Sequence, residues 1–501
     1  MGYLHESRLL THFREPLLQI SNQISHFLTI LTRNSKIKGV FFEWKLVLAP
    51  MPLNMQLFKL DSNQILLSNF AKNLNLISYS LNSSQFEQQY KAIFCENPLL
   101  NFPSLENWLF FLHYENMELG DLLLNNIYII VKKFGYNVIK PQCVLIDSFS
   151  VGDWLEKIQE NTQKTHQLAL VMIPNRINTT EFYEKAKTLI TGKFGVPSQF
   201  FHTKNLENNK ENEGFFLRIL SQISAKMGFA PWALKDLYFS NIPTMVIGVN
   251  IRKNEKSLII SVVGSMNKDF SKYWSAFTII HEKTSYMKEM GVLILEAIVK
   301  FRLVHGIFPE NLMVFRDGEF DELCLEEKTF LWKLIGQYKD KEKVDSGFNL
   351  AFVNARISEK EMIFGIENIN AMYQQRVSNP YMGSLLRITG EENAKYEKFL
   401  MFLQRNDNEN DIMRPTKFRV SYGEGLKGKD MTMNLQNFCF HLVFLNFSFS
   451  SRTSLPAPMQ YAYKLGIFAE IVEKNAGGKE ELAGIMENLK GLATKGKLYF
   501  I

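Results

Sequence analysis

Short apolar runs alternate with helical segments from residue 167 onward, and this alternation constrains the fold more than any other feature. The run QLALVMIP (167–174) is followed by a helical segment that ends at Gly195, by the short run VPSQFF and by the helical segment FFLRILSQISAKMG. A glycine directly after a helical pattern is a common C-terminal signal. Strands that alternate with helices predict an α/β domain with a mostly parallel sheet.

A second α/β unit is predicted after residue 240. Its first strands are TMVIGVNI, SLIISVVGSM and SKYWSAFTII, followed by a long helix with an apolar stripe at 286–306. Strands and helices then alternate, and two helices complete the unit. Three consecutive strands followed by this alternation predict an RNase H-like layout. The remaining predicted strands are NLMVFRDG, FNLAFVNARI, KFLMFLQ and TKFRVSY.

Composition limits the class of protein. The chain has 501 residues, of which 46% are hydrophobic and 22% charged, as is typical of globular proteins. Lys and Arg exceed Asp and Glu by 57 − 51 = 6, which permits a polyanionic partner without requiring one. The four cysteines form no CxxC pair, which argues against a zinc site or a disulfide framework. No apolar stretch is long enough to cross a bilayer, so we expect no membrane partner.

Nine motifs in a fixed order between residues 193 and 466 resemble those of the Argonaute family, and of its Piwi branch in particular. The resemblance implies a MID domain with a Rossmann-like parallel sheet at 131–240 and a PIWI domain with an RNase H-like fold at 241–501. Residues 1–130 are then a linker-like segment, in which GVFFEWKLVL resembles the linker before MID. No stretch resembles the family's PAZ domain. The motifs are KFGVPSQ, LSQISAKMG, MVIGVN, VVGSMN, VFRDG, FVNARI, NPYMGSLL, MRPTKF and LPAPMQYAYKLG.

Five polar residues match the positions that hold the 5′ end of a guide in this family. Tyr183 and Lys187 lie four residues apart on one predicted helix and therefore share a face. The resemblance implies that Tyr183 stacks on the first base, while Lys187, Gln199, Gln222 and Lys226 face the 5′ phosphate. The alternative is an ordinary surface Tyr–Lys pair, with lysines that complement helix dipoles.

The same resemblance extends to the last residue of the chain. In the family the terminal carboxylate folds toward the guide pocket, and the carboxylate of Ile501 would do so here. Mg²⁺ is the cofactor implied, either bridging this carboxylate to the guide 5′ phosphate or at the remnant cleavage site.

Neutral residues occupy two of the four positions that hold two Mg²⁺ ions in the family's cleavage site. Asp317 in VFRDG matches the third member, whereas Asn250 stands at the first and Tyr463 at the fourth. A glutamate is expected at the second, in the loop before the long helix, where Glu282 and Glu289 are nearest. One secure carboxylate cannot hold a metal pair, so we expect no RNA cleavage. The alternative reading of Asp317 is a turn residue, because Asp-Gly is a common turn dipeptide.

Three basic residues are implied by the resemblance to contact the nucleic-acid backbone, which would bind phosphates without reading sequence. The alternative for each is a charge on a solvated face. The three residues are Arg356, Arg414 and Lys464.

Three functions remain open at this point. The first is a small-RNA-guided silencing protein that binds a guide RNA by its 5′ end, pairs it with a target RNA and recruits silencing-complex proteins without slicing. The second is an active Mg²⁺-dependent RNA endonuclease that uses Asp317 with Glu282 or Glu289. The third is a protein-interaction module of a silencing complex, whose surface pockets capture Trp-containing peptides. A cytoplasmic or nuclear location, or both, is expected.

Overall fold

The structure is a computed structural model. Before residue 99 it describes only 26, 30, 57–60, 64–66 and 74–75, so the predicted linker motif GVFFEWKLVL lies outside the described residues. From 99 to 501 the description is continuous except for 236, 282–285, 319–321, 343–348, 359–360, 362, 364, 369–374, 389–396, 404–412, 423–428 and 449–453. Glu282 therefore also lies outside it.

The described strands and helices follow one another in the predicted alternation. The strands are β1 (Phe58–Lys59), β2 (Gln64–Leu66), β3 (Leu74–Asn75), β4 (Trp108–His113), β5 (Gln142–Ile146), β6 (Leu168–Ile173), β7 (Ser198–His202), β8 (Ala233–Leu234), β9 (Thr244–Lys253), β10 (Leu258–Ser265), β11 (Tyr273–Ile280), β12 (Asn311–Asp317), β13 (Asn349–Ile357), β14 (Gly365–Asn368), β15 (Gln375–Ser378), β16 (Ser384–Ile388), β17 (Glu397–Met401) and β18 (Thr416–Tyr422). The α-helices are α1 (Met117–Phe134), α2 (Val151–Asn161), α3 (Thr179–Lys187), α4 (Thr203–Glu207), α5 (Glu213–Lys226), α6 (Tyr286–His305), α7 (Glu322–Glu342), α8 (Lys429–Leu442), α9 (Ala457–Asn475) and α10 (Lys479–Thr494).

The smaller of the two main sheets is wholly parallel, with strand order β5-β4-β6-β7. Its central strand β4 reads WLFFLH and is buried on both faces, as is expected when helices cover a parallel sheet. Leu109 and Phe111 pack with Trp154 of α2, whereas Phe110 faces the main core of the chain. Because β4 precedes residue 131, this sheet begins earlier than the domain boundary predicted from the sequence.

The larger sheet has nine described strands in the order β1-β16-β17-β18-β13-β12-β9-β10-β11. Strands β9, β10 and β11 are antiparallel neighbours, and β12 lies between β9 and β13, parallel to both. In the β9–β12 register Arg316 pairs with Val249. Asn250 and Asp317, the next residue of each strand, therefore lie side by side at one edge of the sheet, as the two motifs predicted.

Helix α9 lies across β9 at very short range. An ideal Cβ placed on Gly248 would lie 2.0 Å from the carbonyl oxygen of Pro458 and 2.8 Å from the amide nitrogen of Met459. Both contacts are to backbone atoms, which a side-chain rotation cannot relieve. Glycine in MVIGVN is therefore required by the approach of α9, and this contact fixes the helix over the tip of β9.

Gly248→Ala is expected to destabilise the protein by about 3 kcal/mol or more, because the added methyl group forces two backbones apart. Gly336→Ala in α7 is the control, since a Cβ there meets no atom within 4 Å and alanine favours the helix by about 0.5–1 kcal/mol. Urea denaturation of both variants measures the difference. Equal stability of the two variants would contradict this packing.

The C-terminal region differs from the prediction in one respect. Three described α-helices follow β18, not two, because α10 was not recognised in the sequence. Its segment KEELAGIMENLKGLAT carries only a sparse apolar stripe, whose buried residues include Ile485 and Leu489. Within the described residues, no helix combines the length and apolar character that a membrane span requires.

Candidate functional site

Helix α3 carries Tyr183 and Lys187 and then continues as a π-helical turn, Thr188–Lys193. Such turns are rare and are often found at functional sites. Tyr183 is half-buried and meets the ring of Phe200 on β7 edge-on, with centroids 5.0 Å apart. The helix thus presents the tyrosine and the lysine one turn apart beside β7, as the sequence predicted.

Two lysines predicted to face the phosphate are buried side by side at the start of β7. Lys187 is 1% exposed and Lys226 is 4% exposed. The ammonium of Lys226 donates to the Ser198 carbonyl at 2.8 Å, and that of Lys187 lies 3.4 Å from the same oxygen. Lys187 also donates to the Tyr499 carbonyl at 2.7 Å. Among the described residues, these contacts are all to neutral oxygens, which is unusual for buried ammonium groups.

The two predicted glutamines extend this cluster. Gln199 accepts a hydrogen bond from Lys226 at 2.8 Å through its side-chain oxygen. The amide of Gln199 donates to the side-chain oxygen of Gln222 at 3.0 Å, and Gln222 in turn donates to the Ser448 carbonyl at 3.1 Å. The structure therefore brings Lys187, Gln199, Gln222 and Lys226 together, in contact with one another or with the same carbonyl.

Lys464 of α9 is linked electrostatically to the same cluster. Burial, followed by the charge of Lys464, lowers the pKa of Lys187 to about 7. Burial, followed by the charges of Lys187 and Lys464, also lowers the pKa of Lys226 far below its ordinary value. Burial lowers the pKa of Lys464 itself to about 8. The charge of Lys464 therefore acts on the two lysines of the cluster, and a contact of Lys464 with the nucleic-acid backbone stays a prediction.

Arg356 and Arg414 are both exposed. Arg356 lies near the end of β13, and its charge lowers the pKa of Asp317, so it stands next to the second candidate site. Arg414 lies just before β18. A role of either side chain in binding a nucleic-acid backbone stays a prediction.

Asn250 and Asp317 form the second candidate site. The amide nitrogen of Asn250 donates to the carboxylate of Asp317 at 3.2 Å. The amide oxygen is buried without a hydrogen-bond partner among the described residues, and it faces Gly466 of α9, where a Cβ would lie 2.8 Å from it. Burial raises the pKa of Asp317, and the nearby Arg316, the Asn250 amide and Arg356 oppose that rise.

This arrangement does not fit a pair of metal ions. Asn250 presents a hydrogen-bond donor to Asp317, whereas a shared ion needs two oxygens there. Tyr463 lies on α9, three residues before Gly466, and carries a neutral phenol in place of a ligand. Among the residues that the structure describes, no group of three or more His, Cys, Asp or Glu side chains could hold a metal ion. Glu289 lies in the first turn of α6.

The positively charged side chain of Arg316 also lies beside Asp317. The guanidinium of Arg316 contacts the Asp317 carbonyl and the carboxylate of Glu327, at 3.3 Å from the latter. Glu327 is buried and also accepts from the hydroxyl of Tyr286 at 3.1 Å. This network fixes the tip of β12. Glu327 was not predicted as a site residue, because nothing in its charged helical segment indicates that its side chain is buried.

The comparisons with known proteins agree with this architecture. A family model for the Piwi domain matches residues 168–475, more than half of the chain. The chain belongs to the Piwi domain family. The match runs across residue 240, the predicted boundary between MID and PIWI, so the division of the chain into 1–130, 131–240 and 241–501 stays a prediction.

The curated relatives of this Piwi domain protein are distant. Protein argonaute-3 of Drosophila melanogaster is 21% identical over 376 residues, which cover 74% of this chain and 40% of that protein. Piwi-like protein 1 of Danio rerio is 21% identical over 473 residues, covering 91% of this chain and 50% of that protein. The chain thus spans half or less of the length of these relatives.

Solved structures confirm the predicted fold class. Drosophila Piwi matches the whole chain with a TM-score of 0.79 at 18% identity, over 64% of its own length. The C-terminal lobe of a budding yeast Argonaute matches 89% of this chain and 95% of its own length, with a TM-score of 0.70 at 16% identity. The fold is therefore that of a MID–PIWI lobe, with a Rossmann-like parallel sheet and an RNase H-like sheet.

In this Piwi domain protein, residues that the sequence motifs did not indicate also contact the turn that follows Lys187. Asn488 of α10 donates to the carbonyls of Gly192 and Lys193 at 3.2 and 2.7 Å, and so caps the π-helical turn that follows Lys187. Gly192 packs against Ile485, which a Cβ would meet at 3.0 Å. Because these partners lie almost three hundred residues apart in sequence, only the folded chain shows that α10 supports the lysine cluster.

Proposed function

We propose that this chain binds the 5′-phosphorylated end of a small guide RNA at the lysine cluster, pairs that guide with a target RNA and does not cleave the target. Membership of the Argonaute/Piwi family implies small-RNA-guided silencing in general. The observation that carries the finer proposal is the pair of buried ammonium groups, Lys187 and Lys226, bonded to neutral oxygens. Mg²⁺ at this cluster stays a prediction.

A terminal phosphate suits this cluster on electrostatic grounds. Its charge is close to −2 above pH 7, and it accepts strong hydrogen bonds from ammonium groups. Lys464 adds a third positive charge, and the Gln199 and Gln222 amides add neutral donors. Tyr183, one turn before Lys187, offers an aromatic ring to the first base, because stacking accepts any base.

The absence of slicing is proposed from the second site. The Asn250–Asp317 hydrogen bond occupies the position at which a metal-dependent nuclease needs two carboxylate oxygens around an ion. Arg316 and Arg356 supply positive charge there instead. The tip of the sheet would then serve as a surface that supports the paired guide and target.

The direct test of guide binding is to purify the protein from its natural cells, extract the bound nucleic acid and sequence it. RNA of one narrow length class with a 5′ phosphate is expected. Recombinant protein should also bind a 5′-phosphorylated RNA more tightly than the same RNA with a 5′ hydroxyl. Equal affinity for the two RNAs would refute the proposed pocket.

The absence of cleavage is tested with the loaded complex. Incubation with a complementary RNA in Mg²⁺ or Mn²⁺ is expected to leave the target intact. A cut opposite guide positions ten and eleven would instead establish the alternative, in which Asp317 acts with Glu282 or Glu289. An active relative run in parallel shows that the assay detects slicing.

Guide affinity is expected to fall as the pH rises from 7 to 9, by up to about tenfold per pH unit for each lysine that must take up a proton on binding. The cause is the lowered pKa of Lys187, about 7, and of Lys464, about 8. The phosphate keeps its charge over this range, since its second pKa is about 6. Dissociation constants at pH 7, 8 and 9 measure the slope, and a 5′-hydroxyl RNA is the control.

Stability of the free protein should change in the opposite direction. Above pH 7 the unfolded chain keeps its lysines protonated, whereas Lys187 in the folded protein loses its proton. The unfolded state then binds more protons, so the free energy of unfolding contributed by Lys187 rises with pH. A flat pH profile of both affinity and stability would contradict the buried, mutually repelling cluster.

A further inference from the structure

The two lysines of the cluster, Lys187 and Lys226, are both closed off from solvent. Lys187 extends from the end of α3 to α9 and to the C-terminal residues 498–501. Its ammonium donates to the Tyr499 carbonyl at 2.7 Å and lies 5.8 Å from the centroid of the Phe468 ring on α9. A phosphate that approaches Lys187 must therefore separate α3 from the segments that cover the ammonium.

Two ion pairs hold α3 and its π-helical turn against the helices on that side. Lys474, near the end of α9, lies 2.6 Å from the carboxylate of Glu184 on α3. Lys193, at the end of the π-helical turn, pairs with Glu481 in the first turn of α10. Glu184 and Lys193 stand on either side of Lys187 in the sequence, so the pairs fasten both ends of the segment that carries it. We call these two ion pairs the α3 clamp.

The clamp consists of groups that separate readily. The side chain of Lys474 is 66% exposed and that of Lys193 is 44% exposed, and exposed ion pairs stabilise a fold only weakly. Salt screens them, whereas buried contacts are screened much less. The interface of α3 with α9 and α10 can therefore open at this rim at small cost, while the buried hydrogen bonds of the lysine cluster keep its interior ordered.

We infer that the α3 clamp controls the entry of the guide RNA: its two ion pairs break before the 5′ phosphate reaches the lysines, and they re-form over the bound guide. The inference rests on the proposed guide binding. Association that waits for such an opening is slow, and its rate becomes independent of RNA concentration once opening is the slow step. The clamp thus sets the rates of loading and release, whereas the lysine cluster sets the affinity.

Stopped-flow fluorescence with a labelled 5′-phosphorylated RNA measures this step. The observed rate of association is expected to level off at high RNA concentration, at the rate at which the clamp opens. Lys474→Met and Glu184→Gln should each raise that limiting rate by about two- to fivefold, since each removes one exposed ion pair. The dissociation rate should rise by a similar factor, so that the dissociation constant changes by less than about twofold.

The opposite charges of the two partners provide the decisive contrast. Lys474→Met removes a positive charge and Glu184→Gln a negative one, so a general electrostatic effect on RNA would change the rate in opposite directions. Breaking the clamp changes it in the same direction. Lys474→Glu combined with Glu184→Lys restores a pair with exchanged charges and should return the limiting rate towards that of the wild type. Lys193→Met and Glu481→Gln repeat the comparison at the second pair.

A matched control and a change of salt distinguish the clamp from overall charge. Lys133 of α1 pairs with Glu213 of α5 at 3.1 Å, an exposed pair between two helices that does not involve α3 or α9. Lys133→Met should therefore leave the limiting rate unchanged. Added salt should raise the limiting rate of the wild type, because it screens the clamp, although it weakens the binding of most proteins to nucleic acid. Thermal denaturation checks that each variant is folded.

Two negative results are distinguishable. The wild type could prefer 5′-phosphorylated to 5′-hydroxyl RNA, yet show an association rate that rises linearly with RNA concentration or opposite effects of Lys474→Met and Glu184→Gln; the clamp inference is then wrong and the guide pocket stands. If the wild type shows no preference for the 5′ phosphate, the proposed function itself fails. Should a variant of the first pair not fold, the variants of the Lys193–Glu481 pair decide.

Discussion

Replacing both Lys187 and Lys226 by methionine is expected to weaken binding of a 5′-phosphorylated RNA by about a hundredfold or more. Each lysine would lose a charge-assisted hydrogen bond to phosphate, worth about 1.5–3 kcal/mol. Methionine is chosen because it keeps most of the buried volume. Binding is measured by fluorescence anisotropy with a labelled RNA, and thermal denaturation shows whether the variant remains folded.

Two controls distinguish a specific pocket for the 5′ phosphate from general electrostatic attraction between the protein and RNA. The first control is Lys185→Met. Lys185 lies on the same helix but is exposed and pairs with Glu181 at 2.7 Å, so this substitution should leave the affinity for RNA nearly unchanged. A 5′-hydroxyl RNA should bind the wild type and the double variant alike. If the double variant loses affinity for both RNAs equally, the lysines act only through the overall field and the proposed pocket is wrong.

Asn250→Asp is expected to create a divalent-cation site beside Asp317. The new carboxylate would face Asp317 at roughly the present 3.2 Å separation, and two buried like charges repel. Without divalent ions at pH 8 the variant should lose about 2–4 kcal/mol of stability. An ion that binds only the folded state restores stability, by about 2.7 kcal/mol at a hundred times its dissociation constant. Thermal denaturation with and without Mn²⁺ measures both effects.

The response should depend on both carboxylates. Adding Asp317→Asn to Asn250→Asp should abolish the Mn²⁺ effect, and the wild type should show none. A wild type that Mn²⁺ stabilises as strongly as the variant would mean that Asp317 already binds an ion, in favour of the cleaving alternative. The variant is not expected to cut RNA by itself, because Tyr463 still stands at the fourth position.

Local patterns predicted the elements that carry the site. MVIGVN and VFRDG are short apolar runs that end in a polar residue. Their continuous apolar character and their length were enough to predict the buried strands β9 and β12. Their pairing put Asn250 beside Asp317, as expected from the RNase H-like layout. The spacing of Tyr183 and Lys187 likewise placed both on α3. The strands and the helix needed only residues close in sequence, whereas the adjacency of Asn250 and Asp317 came from the resemblance to an RNase H-like layout.

The features that sequence patterns missed depend on contacts between distant segments. Strand β4 was overlooked because WLFFLH stands apart from the regular alternation that begins at 167. The motif that contains Lys464 did not indicate that its charge also lowers the pKa values of Lys187 and Lys226. The burial of Glu327 and the cap formed by Asn488 likewise follow from tertiary packing alone.

The hydrogen bond from Lys187 to the Tyr499 carbonyl joins residues 312 positions apart, and this has a consequence for synthesis in the cell. Chains emerge from the ribosome in order, and domains fold as their segments become available. The parallel sheet β4–β7 can form once residue 202 has emerged. The contact between Lys187 and the Tyr499 carbonyl cannot form until Tyr499 has been synthesised. Loading of a guide is therefore expected to follow synthesis of Tyr499, not to precede it.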